Sequence, residues 1–320
     1  MSLDWHNAAL LKYCSKNKPF GDTATLGRLA VHKETAKNLK LTFPELKNED
    51  LGEWADKVFY KLFKSTKIDA YDADEFEGAV KVANFNFPVK ESELYDTFVD
   101  IGSSEHVFDI AQSFKNIIKL TKIGGTIIHA LPANNFCGHG FWQFSPELFY
   151  ELYSPENGFA KTEVFIIDWE WIDSQIKNSK KGYVIKMTKE LANYDIGFRY
   201  VRAIKGKNML GIWSKTTKVE NKEIRNVTQS RYKKDNWVGK YKVNENKNIS
   251  TVDRPEPRTI EILATRYLKK FPRLYPILKK LYHLSFFSKV LPRIRYILKY
   301  KKFENYKNHG EKVYIADLIK

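Results

Sequence analysis

The sequence predicts an α/β fold: a mostly parallel, seven-stranded sheet with an antiparallel terminal hairpin, followed by a basic α-helical C-terminal extension. Three observations predict it. Strand-like and helical segments alternate over residues 23–153, two strand-like runs (162–169 and 197–215) lie around a Gly-Lys-Asn turn, and basic residues interleave with apolar ones after residue 258. Alternation of strands and helices is typical of a parallel sheet, and the last two runs predict a reversed edge.

Each element is predicted from its own local pattern. Residues 3–15 are predicted to be helical, the amphipathic run 52–64 ends a second helical stretch, and 109–121 has clear helical periodicity. A further helix at 145–153 has Ser145 as its N-cap and Pro146 at its first position. Apolar and β-branched runs predict strands over 23–27, 67–74, 79–86, 96–102 and 125–131.

The chain is predicted to have three parts: an α/β domain over 1–215, a linker or mobile insertion over 216–258, and a basic amphipathic helical tail over 259–320. The net charge of the 320 residues is +16, and residues 266–307 alone contribute +12 of it. A protein that binds nucleic acid over its whole surface would not concentrate its charge in this way.

Several classes of protein are excluded by composition. The two cysteines, Cys14 and Cys137, have no paired spacing, so neither a disulfide framework nor a structural zinc site is expected. The N-terminus lacks the pattern of a secretory signal, and no run of about 18 apolar residues is present. We therefore expect a cytoplasmic protein without a membrane span.

Polar side chains concentrate in the loops after the fourth and fifth predicted strands. In open α/β sheets ligands bind outside the carboxyl ends of the strands, so these loops are the expected place for a site. The side chains are Glu105 and His106 after the fourth strand, and Asn134, Asn135, His139, Trp142 and Gln143 after the fifth. This arrangement favours an enzyme.

Two blocks of sequence carry a resemblance to a known family. The first joins YDTFVDIGSSEHVFD to LTKIGGTIIHALPANN, and the second is GHGFWQFSPELF at 138–149. Together they resemble the class I S-adenosylmethionine-dependent methyltransferases, closest to a bacterial subgroup associated with surface-polysaccharide biosynthesis. The resemblance covers residues 23–215. It implies a Rossmann-like sheet and S-adenosylmethionine as cofactor. The sequence departs from the wider superfamily after the first strand, where Gly27-Arg28 stands in place of a glycine-rich loop, a reduced version that resembles the subgroup.

The resemblance also implies which residues hold the cofactor. Asp72 matches the acid that accepts hydrogen bonds from the ribose diol, and Asn84 matches the side chain that meets the adenine amino group. Arg28 is expected to pair with the cofactor carboxylate, partly replacing missing backbone donors. The remaining expected contacts are Gly27, Gly102 and Ser103. The reduced loop leaves a catalytically inactive relative open as an alternative.

The predicted catalytic residues are His139, His106 and Glu105. His139 is chosen because methyl transfer to oxygen requires an aligned acceptor that loses its proton. The resemblance implies the roles of His106 and Glu105, since their position touches the methyl end of the cofactor in relatives. The alternatives are a loop role for His139 in capping backbone groups and a helix-capping role for His106. His129, inside the fifth strand, is expected to be a packed residue. No metal site is predicted, because the spacing of His106 with the neighbouring acids matches no defined ligand pattern. Asn134, Asn135, Gln143 and Trp142 are the predicted substrate contacts.

The function predicted is methylation of a hydroxyl on a surface glycan or its precursor. The alternatives are an inactive, membrane-associated assembly protein and a nucleic-acid methyltransferase. Residues 266–302 contain an apolar helical stripe flanked by Lys and Arg, which suits an anionic membrane surface, and the protein is expected to be peripheral on the inner membrane. Packing on the catalytic domain or on another subunit is the competing interpretation of this segment, and no nucleic-acid-binding motif is present. The sequence does not predict an oligomeric state.

Overall fold

The computed structural model describes residues 2–75, 77–78, 81–169, 172, 182–192, 209–224, 227–229 and 311–319. They belong to one unit formed by Met1–Ser230 together with His309–Lys320. The predicted linker beyond residue 229 and the basic segment 266–302 lie outside the described residues.

A nine-stranded sheet forms the centre of this unit. Its order is β3-β2-β1-β4-β5-β8-β6-β7-β9, and the first five strands in this order run parallel to one another. The prediction of seven strands was wrong, because β7 and β9 extend the sheet beyond β6. The strands are β1 (Gly21–Leu26), β2 (Ser65–Asp72), β3 (Lys81–Val82), β4 (Tyr95–Ile101), β5 (Thr121–Asn134), β6 (Phe159–Asp168), β7 (Tyr183–Met187), β8 (Leu210–Lys218) and β9 (Glu311–Tyr314).

The predicted antiparallel hairpin corresponds to β6 and β8. β8 lies between β5 and β6 and is antiparallel to both, so β6 runs in the same direction as the first five strands. The second predicted run is strand only from Leu210, and residues 193–208 lie outside the described part. The mostly parallel, Rossmann-like character of the sheet is therefore confirmed.

The C-terminal end of the chain differs from its prediction. Residues 311–318 were predicted within the helical tail, but Glu311–Tyr314 is a strand that pairs antiparallel with β7. A short helix, Ile315–Leu318, follows, and its Ile315 and Leu318 are buried in the same core as the helix Trp5–Ser15. The last turn of the chain thus belongs to the sheet-containing unit because its apolar residues pack there.

The helices flank the sheet, and their bounds agree with the predictions to within a few residues. The exception is α3 (Asp56–Val58), which is a single turn joined to a π-helical turn at Phe59–Phe63. Pro146 begins α5 as predicted, but the Ser145 side chain makes no capping bond. Asp109 caps α4, since its Oδ1 accepts a hydrogen bond from Gln112 N at 3.0 Å, so the proposed capping role for His106 is wrong. The principal helices are α1 (Trp5–Ser15), α2 (Lys33–Thr42), α3 (Asp56–Val58), α4 (Ile110–Leu120) and α5 (Pro146–Leu152).

Central strands β4 and β5 are almost completely buried, which fixes the position of the loops that follow them. Phe98 and Val99 of β4 and Ile127 and Ile128 of β5 have no exposed surface. Strands buried on both faces are continuous apolar runs, which is why these two were predictable. Within the described residues, no helix is both long and apolar enough to span a bilayer.

Candidate functional site

The order of the strands reverses between β1 and β4, which makes this the switch point of the sheet. β2 and β3 continue on one side, and β4 and β5 on the other. Ligand-binding crevices of open α/β sheets form at such points, because the loops after the two strands diverge to opposite faces. The predicted cofactor residues Gly27 and Gly102 follow these strands directly.

Both glycines adopt backbone conformations that other residues rarely take. Gly27 has φ +74° and Gly102 has φ +69°. The two loops also touch, because the hydroxyl of Ser103 donates a hydrogen bond to the carbonyl of Leu26. A single glycine at each position therefore shapes the crevice where the sequence lacks a longer glycine-rich loop.

Arg28 is engaged in contacts within the protein. Its guanidinium donates to the carbonyl of Gly78 at 2.8 Å, lies 4.4 Å from the ring centre of Trp54, and is 3.9 Å from the carboxylate of Asp56. Pairing with a cofactor carboxylate would require release of the bond to Gly78. Its predicted role thus stays a prediction, and the structure shows a local role in holding the loop after β2.

Asp72 and Asn84 lie at the same edge of the sheet, and both make local contacts. Asp72 ends β2, is partly exposed, and accepts a hydrogen bond from Ala73 N at 2.7 Å. Asn84 lies two residues beyond β3, which ends at Val82, whereas the strand was predicted to continue to residue 86; residues 79 and 80 lie outside the described part. The Asn84 side chain accepts hydrogen bonds from both the backbone and the side-chain amide of Asn86. The cofactor roles of Asp72 and Asn84 both stay predictions.

Glu105, His106 and His139, the three predicted catalytic residues, come together, and we name them the rim cluster. Nε2 of His139 lies 3.5 Å from Oε1 of Glu105, and the His106 and His139 rings are 5.2 Å apart in an edge-to-face arrangement. One nitrogen or oxygen atom from each of the three side chains lies within 4.8 Å of the others. Residues from two separate loops are therefore joined at one point.

The loop after β5 is docked onto the loop after β4 by backbone hydrogen bonds. The amides of Phe141 and Trp142 both donate to the carbonyl of Glu105, at 2.8 and 3.2 Å, and the Trp142 indole donates to Val107 O at 2.9 Å. Gly140 permits this approach, because a Cβ there would lie 3.0 Å from both the side chain and the carbonyl of Glu105. This docking places His139 beside Glu105.

Gln143 and Trp142 were predicted to bind substrate, and the structure gives both a part in this docking. Gln143 Oε1 accepts a hydrogen bond from Phe136 N at 3.0 Å, which closes the loop on itself. Trp142 is still 38% exposed beside the more exposed Phe108 and Phe141, whose rings meet edge to face. These three side chains form an aromatic surface next to the rim cluster.

Asn134 and Asn135 lie at the end of β5. Asn134 is exposed and is the last residue paired with β8, opposite Leu210. Asn135 has φ +63°, a conformation that asparagine tolerates better than most residues. The turn at Asn135 redirects the chain into the loop that carries His139.

Glu105 is an acid without the partners that buried acids usually have. Its side chain has no exposed surface, and neither carboxylate oxygen accepts a hydrogen bond from any described residue. Burial, reinforced by the negative charge of Asp100, raises the pKa of Glu105 to about 8. Partial burial and the neighbouring His139 lower the pKa of His106. The rim cluster thus combines a buried acid that resists ionisation with an imidazole that resists protonation.

A network of buried hydrogen bonds around His129, near the rim cluster, could not be predicted from the sequence. His129 Nδ1 is 2.8 Å from Asp100 Oδ2, and its Nε2 is 2.6 Å from the Tyr153 hydroxyl. Asp100 also accepts from the Ser104 backbone amide at 3.2 Å, at the start of the turn that carries Glu105. The prediction that His129 is a packed residue is confirmed, since it is fully buried. These partners lie in three separate elements, so no local pattern could reveal them.

Comparisons with known proteins give little beyond this geometry. No family model and no curated protein matches the chain. Among solved structures, the chain is similar to a Haemonchus contortus phosphoethanolamine N-methyltransferase 2 in complex with S-adenosylmethionine, with a TM-score of 0.42 and 12% identity. The match covers 68% of this chain and 53% of that protein, so the chain spans about half its length.

A second solved structure is the O-methyltransferase from a Brevibacillus brevis trans-AT PKS multienzyme, in complex with S-adenosylhomocysteine. Its TM-score is 0.37 at 13% identity, with 67% of this chain and 71% of that protein covered. Likenesses at this level carry no inference about activity. The assignment of function therefore depends on the residues of this chain.

Proposed function

We propose that the protein is an S-adenosylmethionine-dependent methyltransferase that methylates a hydroxyl of a surface glycan or of its precursor. The observation that carries the proposal is the meeting of two features at one sheet edge. Gly27 and Gly102, which both have a positive φ angle, flank the switch point. The rim cluster lies in the loops after β4 and β5. Cofactor and acceptor would then bind side by side, as an in-line transfer requires.

The described residues fit the cofactor in two places: Asp72 can bind the ribose, and the backbone at Gly27 and Gly102 allows the ligand to come close to the chain. Gly27 and Gly102 leave room for a ligand close to the chain, with Ser103 beside them. Asp72 offers a carboxylate at the end of β2 for the two ribose hydroxyls. When bound, S-adenosylmethionine supplies a methyl group on a sulfonium sulfur; the C–O bond to the acceptor forms as the C–S bond breaks, and S-adenosylhomocysteine leaves.

The rim cluster receives the acceptor hydroxyl in this proposal. An attacking hydroxyl must be oriented and must lose its proton as the C–O bond forms. The rim cluster offers two exposed imidazoles and a buried carboxylate within 4.8 Å, so it supplies both acceptors and donors for that oxygen. The proton passes to this cluster or to water bound there.

A sugar suits the surface around the cluster. Phe108 and Phe141 are 71% and 68% exposed, and Trp142 lies beside them. Aromatic faces pack against the apolar face of a sugar ring, and the polar side chains of Asn134 and Asn135 can hydrogen-bond its hydroxyls.

We also propose that the basic segment 266–302 holds the protein on the anionic inner face of the membrane, where glycan precursors are assembled. Its support is the sequence alone, namely the apolar helical stripe flanked by cations.

The test is transfer of a labelled methyl group from S-adenosylmethionine to a panel of nucleotide-linked sugars, lipid-linked sugars and RNA. We expect the label in a sugar fraction, with product mass increased by one methylene. Label in RNA alone would favour the nucleic-acid alternative. Cofactor binding without transfer to any acceptor would favour the inactive assembly protein.

A further inference from the structure

The rim cluster has the composition of a metal site. Two imidazoles and one carboxylate converge from two loops, with the ligating atoms within 4.8 Å of one another. Across the described residues, no other three His, Cys, Asp or Glu side chains converge in this way. Two histidines and one carboxylate are a ligand set that zinc and other first-row metals accept in proteins.

The strongest independent observation is the condition of Glu105. Both of its oxygens are buried without a hydrogen bond from any described residue, although the side chain has no exposed surface. A buried carboxyl group whose oxygens accept no side-chain hydrogen bond is uncommon, and a cation shared with His139 would account for it. A cation bound to one of these oxygens would compensate the carboxylate, which burial otherwise destabilises.

The distances suit a single small cation. First-row metals hold nitrogen and oxygen ligands at about 2.0–2.2 Å, which separates neighbouring ligand atoms by roughly 3.0–3.5 Å. Glu105 Oε1 and His139 Nε2 are already 3.5 Å apart. The ligating atom of His106 lies within 4.8 Å of these two atoms, and both histidines are exposed.

The loops also hold the cluster in place. The two hydrogen bonds to the Glu105 carbonyl and the indole bond from Trp142 to Val107 O fix the loop that carries His139 against the turn that carries Glu105 and His106.

We propose that Glu105, His106 and His139 bind one divalent first-row transition-metal cation, with the remaining coordination positions open to solvent on the side of the two imidazoles. Binding of the cation does not depend on the proposed function. Its use in methyl transfer rests on that function: an acceptor oxygen in an open position would be oriented by the cation and would have a lower pKa.

The test uses the full-length protein, stripped with a chelator and titrated with Co²⁺ and Zn²⁺. We expect one cation per chain by calorimetry, with visible absorption of the bound Co²⁺. Glu105→Gln and His139→Ala should each weaken binding by about 100-fold or more, at least as much as the loss of a supporting residue does. His32→Ala removes an exposed histidine elsewhere, and Cys137→Ser removes an exposed thiol two residues from His139. Both should bind like wild type.

Two results would overturn the inference: no uptake by the wild type, or equal affinity in His139→Ala and wild type. Because His139 is exposed, its variant is expected to fold, and circular dichroism of each variant verifies this. Titration of S-adenosylhomocysteine into the same preparations separates the two proposals. Cofactor binding without metal binding removes only the metal site, and metal binding without cofactor binding removes only the methyltransferase.

Discussion

His139 lies with its Nε2 3.5 Å from Oε1 of Glu105, a carboxylate that is completely buried and that accepts no hydrogen bond from the described residues. The pair is formed by two loops that follow adjacent strands and that are fastened together through the Glu105 carbonyl. An arrangement that leaves a buried acid unsatisfied costs stability, which is typical of residues retained for function.

Replacement of His139 tests the role of the rim cluster in turnover. His139→Ala should lower kcat by about 100-fold or more, because the acceptor loses a group that orients it and helps to remove its proton. Affinity for S-adenosylhomocysteine should stay within about two-fold of wild type, since the predicted cofactor residues are unchanged. His32→Ala is the matched control. Wild-type kcat in His139→Ala would show that the acceptor binds elsewhere.

The pKa of Glu105 gives a prediction for stability against pH. The folded carboxyl keeps its proton up to about pH 8, whereas the unfolded one loses it near 4.5. The free energy of unfolding should therefore fall as pH rises from 4.5 to 8, by up to about 1.4 kcal/mol per pH unit, and then level off.

Glu105→Gln removes this titration, so its stability relative to wild type should rise across the same window. The measurement is urea unfolding at several pH values in the presence of a chelator. Equal pH dependence in the two proteins would show that the carboxylate is solvated or paired in solution.

Asp72 is predicted to hold the cofactor ribose. Asp72→Ala should weaken S-adenosylhomocysteine binding by about 10-fold or more, because a hydrogen bond to a charged group contributes roughly 1.5–3 kcal/mol. Asp50→Ala is a suitable control, since Asp50 is also an acid whose carboxylate accepts a nearby backbone N–H. Calorimetry that shows unchanged affinity in Asp72→Ala would remove the ribose assignment.

Because the helix Ile315–Leu318 packs on the sheet-containing unit, shortening the Ile315 side chain should lower the stability of the protein. Its side chain has no exposed surface, so Ile315→Ala should lower the free energy of unfolding by about 2–5 kcal/mol in urea. Tyr314→Ala, at a position that is 42% exposed, should cost much less. Equal, small effects of both substitutions would mean that residues 315–318 are not packed in solution.

Membrane association of segment 266–302 is best tested without deletion, because removal of everything after residue 258 would also take away β9. Replacing Lys289, Arg293, Lys299 and Lys302 by Gln should weaken binding to phosphatidylserine-containing vesicles at least 100-fold, at about 1 kcal/mol per charge. The matched control replaces Lys33, Lys37, Lys40 and Lys47, which line one surface groove beside α2. Loss of binding in the control alone would place the membrane contact on α2.

The parallel part of the sheet could be predicted from sequence because its strands are buried apolar runs, as in the segment around Phe98 and Val99. β9 could not, because a four-residue strand, Glu311–Tyr314, with two charged residues has no periodicity of its own and is defined by pairing with β7. Its position directly after the basic stretch 266–307 favoured the interpretation as the end of a helical tail.

The sequence could predict that Glu105 and His139 would lie close together, but it could not predict that Glu105 would be buried. The positions of Glu105 and His139 after two strands indicated that they would share one edge. The complete burial of Glu105 depends on the docking of a loop more than thirty residues later in the sequence, so no local pattern around Glu105 indicated it. The contacts of Arg28 with Trp54 and Gly78 are likewise long-range and left no local signal.

The most direct test of the central claim is calorimetric titration of S-adenosylhomocysteine into the full-length protein. The account predicts saturable binding of one molecule per chain, with S-adenosylmethionine competing for the same site. Absence of binding at millimolar ligand by a folded protein would contradict it, because the crevice between β1 and β4 would then not be a cofactor site.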